Sequence, residues 1–242
     1  MNAKKQVRNK TNPLNAYLTE DKIELGIDEA GRGPMFGAVY TAAVILPKDD
    51  GFRHDWMKDS KRFSSTKKIR KVAEYIKDNA LAWSVTSESE TVIDTINIRQ
   101  ATLNSMHKSI ASVIEKYCKL PGKTDLNWIP YSHQNTILLV DGCDFKPYTF
   151  YDDNTETITE IPHTCITGGD NWYTSIAAAS ILAKTERDIY IEELCNEYPY
   201  LMERYGIHKN KGYGTKTHMD GIRTWGNTKW HRKTYGICKQ NK

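Results

Sequence analysis

Gly26-Ile27-Asp28-Glu29-Ala30-Gly31-Arg32-Gly33-Pro34 is the stretch on which the reading of this chain turns. The residues leading into it, Lys22 to Asp28, alternate and become apolar as a strand does, and the Gly31–Pro34 segment then imposes a tight loop. Two acids therefore stand where an apolar strand ends. A charge at the edge of a core costs free energy unless a metal or a partner compensates it. Successive strand residues point to opposite faces. Asp28 and Glu29 can thus share a site only if the backbone turns between or just after them, which Gly31 and Gly33 permit.

Working outward, Gly37 to Pro47 reads as a second, mostly buried strand, close enough to pair antiparallel with the first. Ser64 to Asn79 carries Ile69, Val72, Ala73 and Ile76 at helical spacing, and Leu81 to Thr86 alternates as a third strand. A long helix is expected around Ile98 to Lys119. Thr136 to Val140 is a near-continuous apolar run closed by Asp141-Gly142, the pattern of a strand covered on both sides. Tyr148–Tyr151 and Thr157–Ile161 flank Asp152-Asp153-Asn154 as a surface hairpin. Ser175 to Asn196 is the strongest helical segment, and the last forty residues read as short helices and loops. This order predicts an α/β fold with a central mixed sheet flanked by helices and a C-terminal helical extension, divided into a basic, flexible arm (1–20), a catalytic domain (21–198) and a basic helical and loop extension packing on the catalytic domain (199–242).

With 242 residues, the chain can bury a substantial core. No apolar run approaches the ~18 residues of a membrane span, and no apolar segment follows the N-terminal basic residues as in a secretory signal. Five scattered cysteines, Cys118, Cys143, Cys165, Cys195 and Cys238, lack any Cys-x-x-Cys pair. They predict free thiols in a reducing compartment: an intracellular, cytoplasmic protein, or a nuclear one if eukaryotic. The formal charge is only +4, yet from Arg204 onward ten lysines and arginines face a single acid, Asp220. Tyr205, Tyr213, Trp225, Trp230 and Tyr235 are interleaved with them, a composition suited to phosphates and sugars or, more simply, to a solvated charged face.

Besides Asp28 and Glu29, Asp141 closes a central strand and Asp170 lies in Gly168-Gly169-Asp170 just before the strongest helix. Singly, each acid reads as a turn former or a neighbour of a helix cap. Jointly, with the glycine loop, they read as a site. Four carboxylates without cysteine or clustered histidine suit hard cations, magnesium or manganese before zinc. Converging, they would make a two-metal phosphodiesterase.

The opening stretch resembles the signature of the type 2 ribonucleases H, and further matching segments follow in order. They are Asp59-Ser60-Lys61; Ile93-Asp94 with Asn97-Ile98; Asp141-Gly142; Gly169-Asp170 with Ser175–Lys184 and Arg187-Asp188; Lys211-Gly212-Tyr213-Gly214-Thr215 with His218; and His231-Arg232. The resemblance implies an RNase H-like fold and metal-dependent cleavage of RNA in RNA/DNA hybrids. It also implies cutting 5′ to single ribonucleotides embedded in duplex DNA, leaving a 3′-hydroxyl and a 5′-phosphate. It makes Asp28, Glu29, Asp141 and Asp170 the catalytic, metal-binding carboxylates for two Mg2+ or Mn2+ ions. Gly31, Arg32 and Gly33 become the loop that reads the ribose 2′-hydroxyl, and Tyr213 the ring that packs under the following sugar.

Physical chemistry is compatible with those roles, since the 2′-hydroxyl is the group that separates RNA from DNA. Ser180, Lys184 and Arg187 share one face of the strong helix at i, i+4 and i+7, opposite an alanine-rich face. Lys184, Lys61 and Arg32 are candidates for phosphate contact and Ser180 for substrate binding. His218 and His231 are expected to be structural or hydrogen-bonding. Two departures stand out: a long acidic hairpin between Asp141 and Asp170, and no lysine in Thr167-Gly168-Gly169. The expected partners are RNA/DNA hybrid and ribonucleotide-containing duplex DNA, bound by a monomer without an obligatory subunit or membrane. The rival expectations are a type 3 ribonuclease H, a junction resolvase, or a non-catalytic binding module.

Overall fold

The computed structural model describes residues 13–121, 135–152 and 156–240. β1 (Ile23–Ala30), β2 (Val39–Ile45), β3 (Ala82–Glu88), β4 (Thr136–Asp141) and β7 (His163–Ile166) form a five-stranded sheet in the order β3-β2-β1-β4-β7. β1 pairs antiparallel with β2 and parallel with β4, so the sheet changes sense at β1. β5 (Thr149–Asp152) and β6 (Thr157–Glu160) make the expected hairpin, whose turn at 153–155 lies outside the described residues. The short strand β7 follows directly and was not foreseen: four residues with half-buried side chains carry no clear period.

Both faces of the sheet are covered. Leu25, Ile27, Leu138 and Val140 pack against α2 (Glu90–Cys118) through Leu103, Met106, Ile110 and Val113. On the other face, Ala42 and Val44 meet α1 (Thr66–Asn79) and α3 (Thr174–Glu197). α2 starts earlier than its apolar pattern predicts because it is two helical pieces joined at Asn97. There φ is +67°, and the Asn97 side chain caps the second piece by accepting from the Gln100 N–H at 3.1 Å.

α3 departs from its expected two-faced character: every residue from Thr174 to Ala183 is buried. The cause is Gly26 on β1, where a Cβ would fall 2.1 Å from the carbonyl carbon of Ser175. Only glycine lets the first turn of α3 rest directly on the central strand.

Residues 199–240 are part of the packed body. α4 (Tyr200–Tyr205), α5 (Ile207–Asn210) and α6 (Lys216–Trp225) enclose a core of Leu201, Tyr205, Ile207, Ile222, Trp230 and Cys238 that includes Met35 and Phe36. Of the basic arm assigned to 1–20, residues 1–12 lie outside the described residues. Residues 13–20 run against the body: Asn15 bridges to Tyr173, and the N–H groups of Leu18 and Thr19 donate to the buried Glu24 carboxylate at 2.6–3.0 Å. The five cysteines are free thiols. No helix among the described residues is long and apolar enough to cross a membrane.

Candidate active site

Ile27 stands opposite Val140 in the parallel pair, so Asp28 and Asp141, one residue further along each strand, end side by side. This is the point where the sheet changes sense, a place where the ends of strands open onto a crevice. Leu25 and Ile27 face α2. Alternation turns Asp28 to the opposite side, towards α3, where the Ser180 hydroxyl, which donates to Ser60 Oγ at 3.2 Å, lies near enough to lower the proton affinity of its carboxylate. The close seat of α3 on Gly26 brings Ser180 within that reach. Asp170 lies in the 3-10 turn Gly169–Asn171. The N–H of Gly169 in that turn donates to Asp141 Oδ1 at 2.7 Å, tying it to the end of β4.

The charge of Asp141 reaches the other three acids. Burial pushes the Asp28 carboxyl well above the ordinary carboxylate range, and the charges of Glu29 and Asp141 push it further. Burial likewise raises Glu29, with Asp141 adding to the rise and Arg32 and Lys61 opposing it. Asp141 is raised by burial against N–H donors from Gly169, Gly142 and Asp170 and the charge of Lys61. Asp170 is pushed up to about 6 by burial and by repulsion from Asp59 and Asp141, with Lys61 and Asn171 pulling it back. Lys61 is thus the cation common to Glu29, Asp141 and Asp170.

An oxygen-only cluster with this excess of mutually repelling negative charge fits a divalent, oxygen-loving cation. Among the described residues, no three acidic, histidine or cysteine side chains stand together as closely as the ligands of a bound ion do. Asp28 accepts from the Glu29 N–H at 2.6 Å, Glu29 accepts from Arg32 at 3.2 Å, and Asp170 accepts from Asn171 at 2.8 Å. Each acid is turned towards a local donor.

Beside the acids, Gly31 adopts φ +93° and the loop folds over two buried arginines. Arg232 donates to the carbonyls of Gly31 (2.7 Å), Arg32 (3.0 Å) and Gly37 (2.8 Å). Arg187 donates to Phe36, Ala38 and Lys211, and a Cβ at Gly31 would fall 2.2 Å from its Nε. Tyr213, 52% exposed, stands next to the loop, its ring 3.6 Å from where a Cβ on Gly33 would lie. A cavity of about 200 Å3 runs from Glu29, Arg32 and Asp141 to Arg99, Met106 and Asp144.

Of the residues nominated from sequence, the acids, Lys61, Ser180, the loop and Tyr213 are gathered at this end of the sheet. Lys184 is ion-paired with Asp188 on its own helix. Arg187, placed by periodicity on the same face, is 2% exposed and serves the loop from beneath. Sequence reasoning passed over Asp59, whose charge reaches Asp170. Its signal was present, an acid two residues before Lys61 whose side chain accepts from the Lys61 N–H at 2.8 Å. It also passed over Arg232 as a loop support, and no local pattern signals that an arginine will be buried by carbonyl acceptors.

Residues 25–237 match the family model described as Ribonuclease HII. The chain is 42% identical over 224 residues to the Ribonuclease HII of Parabacteroides distasonis, spanning 93% of this chain and 95% of that one. It is 41% identical over 221 residues to that of Bacteroides thetaiotaomicron, spanning 91% and 93%. Among solved structures, ribonuclease H2 from Pyrococcus horikoshii OT3 superposes with a TM-score of 0.64 at 20% identity, covering 90% of this chain and 95% of that one. Bst-RNase HIII in complex with Mn2+ superposes with a TM-score of 0.63 at 15% identity, covering 91% and 69%. These two share the fold, an α/β architecture with a mixed central sheet between helices. By the family model and its close relatives, the chain belongs to the ribonuclease HII family of endonucleolytic hydrolases.

Proposed function

We propose that this enzyme cuts the RNA strand of RNA/DNA hybrids and also incises duplex DNA on the 5′ side of a single embedded ribonucleotide, leaving a 3′-hydroxyl and a 5′-phosphate. The observation that carries this reading is adjacency: the Gly31–Gly33 loop and the exposed ring of Tyr213 meet beside the acidic ends of β1 and β4. Asp28, Glu29, Asp141 and Asp170 would hold two Mg2+ or Mn2+ ions, which supply an activated water and neutralise the departing oxygen.

The protein's own groups do the rest. Backbone groups of the loop can approach a 2′-hydroxyl closely because no Cβ intervenes at Gly31 or Gly33. The phenol of Tyr213 packs on the following sugar, where a deoxyribose fits better than a ribose. Lys61 and Arg32 lie close enough to the acids to meet the neighbouring phosphates, and Ser180 stands beside Asp28 as a further polar contact. Lys184 would reach a phosphate on leaving Asp188. Residues 21–198 would carry the chemistry. Residues 199–242 would press on the duplex backbone through exposed lysines such as Lys216 and Lys233. Deleting that segment cannot test the clamp, because it would remove the core around Ile207, Ile222 and Trp230. Substitution at the exposed lysines can. Catalysis is then positioning plus charge stabilisation by a monomer.

The test uses short labelled duplexes carrying no ribonucleotide, one, or a run of several. A nick mapped 5′ to the lone ribonucleotide, abolished by chelator, is the expected result. Cleavage only within longer runs, as expected of a type 3 enzyme, would overturn the single-ribonucleotide reading.

A further inference from the structure

His218 and His231 are fully buried, and their Nε2 atoms lie 3.0 Å apart. Two imidazoles that face each other through the same nitrogen bond only if one carries the proton there and the other does not. Their neighbours decide which. The backbone N–H of Thr228 donates to His231 Nδ1 at 2.9 Å, so in a neutral ring the His231 proton sits on Nε2. His231 then donates to His218 Nε2. The proton of His218 is left on Nδ1, which donates to the Tyr213 carbonyl at 2.9 Å. Burial keeps both rings neutral: it lowers the pKa of His218, and together with His218 it pushes His231 down to about 3. The rings of Phe36 and Tyr205 close around His231 at 5.2 and 5.1 Å.

Tyr213 is the residue that needs such an anchor. It lies between Gly212, at φ +86°, and Gly214, after Lys211 at φ +51°, and its ring is half exposed. Its N–H donates to the Asn210 carbonyl at 2.9 Å and the Met35 N–H holds the neighbouring Gly212 carbonyl at 2.9 Å, which leaves the Tyr213 carbonyl as the remaining end of the turn. Its carbonyl accepts from the Thr215 N–H at 2.8 Å, next to it in the chain, and from His218, which reaches it from the core.

We propose that His231 and His218 are positioning residues whose one-way hydrogen-bond chain sets the backbone of Tyr213, and so the sugar-packing ring, against the ribose-reading loop. Arg232, the next residue after His231, holds the carbonyls of Gly31 and Arg32. Two consecutive residues thereby reference both halves of the recognition surface to each other. This inference rests on the role proposed above for Tyr213.

The full-length protein with 15N-labelled histidines reads the chain directly. His231 should appear at neutral pH as the Nε2–H tautomer and His218 as the Nδ1–H tautomer. A proton on His218 Nε2, or a charged ring at either position, overturns the proposal whether or not any variant folds.

Kinetics add a second arm. His218→Asn keeps a donor near the Nδ1 position, whereas His218→Gln reaches towards His231 and offers none to Tyr213. His218→Gln should lower kcat/KM on the single-ribonucleotide duplex about tenfold, with a smaller loss on a long all-RNA hybrid. His218→Asn should restore most of it, and in a Tyr213→Ala background His218→Gln should cost nothing further. Equal losses on both substrates, or no difference between Asn and Gln, would mark a merely structural pair and overturn the proposal. Normal cleavage by Tyr213→Ala would instead overturn the reading of Tyr213. Impairment of Tyr213→Ala beside a wild-type His218→Gln would sink the histidine chain alone.

Discussion

Two buried, charged regions lie close together in this molecule and are built on opposite principles. At the ends of β1 and β4, four carboxylates have raised proton affinities, Asp141 adding to the rise in the other three, and each is held by isolated local donors. Behind the loop, Arg187 and Arg232 are buried more deeply than Glu29 or Asp141, yet each donates to three backbone carbonyls. The first arrangement stores unfavourable charge that a cation can relieve. The second spreads charge over fixed dipoles and turns it into geometry. A buried charge is thus a reactive centre when its partners repel it and a scaffold when they satisfy it.

Substitutions should separate the two regions, the acids first. Asp141→Asn should lower cleavage about 1,000-fold while leaving the fold intact, measured by single-turnover assay and far-UV circular dichroism. Arg232→Met should behave in the opposite sense. Losing a buried donor to three carbonyls should destabilise the protein by about 3 kcal/mol in denaturant titration, with cleavage falling only as far as the loop is displaced.

The pH response of the metal-free protein gives a smaller contrast. Asp170 titrates at about 6 in the fold against an ordinary value of 3.8. Between those values the folded state binds more protons than the unfolded one, so this carboxyl favours folding at low pH and loses that contribution as pH rises through about 6. Asp170→Asn should therefore stabilise the chelated protein by about 2 kcal/mol near pH 7, the gain vanishing near pH 4. A variant less stable than wild type at neutral pH would contradict the charge balance described here. The smallest effect belongs to the surface. Lys216→Gln with Lys233→Gln should shallow the salt dependence of hybrid binding, the logarithmic slope falling by about one for each lysine that meets a phosphate.

Much of this was legible in the sequence, for identifiable reasons. An acid that closes an apolar run, as at Asp28 and Asp141, reports its own position because strand burial has a simple period. The Gly31–Gly33 turn announces itself by residue type. The bend at Asn97 left a trace, since the apolar pattern starts at Ile98, yet the first piece, Glu90–Ile96, has too little periodicity to be seen. Arg187 and Arg232 were not legible as scaffold. Helical spacing put Arg187 on a face shared with Lys184, and only the fold shows that carbonyls from the Phe36–Ala38 segment await it. The basic C-terminal segment was legible as short helices lying on the body, but its net charge conceals which apolar residues seat it on Met35 and Phe36.

Direct titration with Mn2+, read by the paramagnetic signal of the free ion, probes the acids without any assumption about substrate. The wild-type protein should deplete the signal, and Asp141→Asn should bind at least about tenfold more weakly. Equal depletion by the two proteins would mean that the carboxylates gathered at the ends of β1 and β4 are not a cation site.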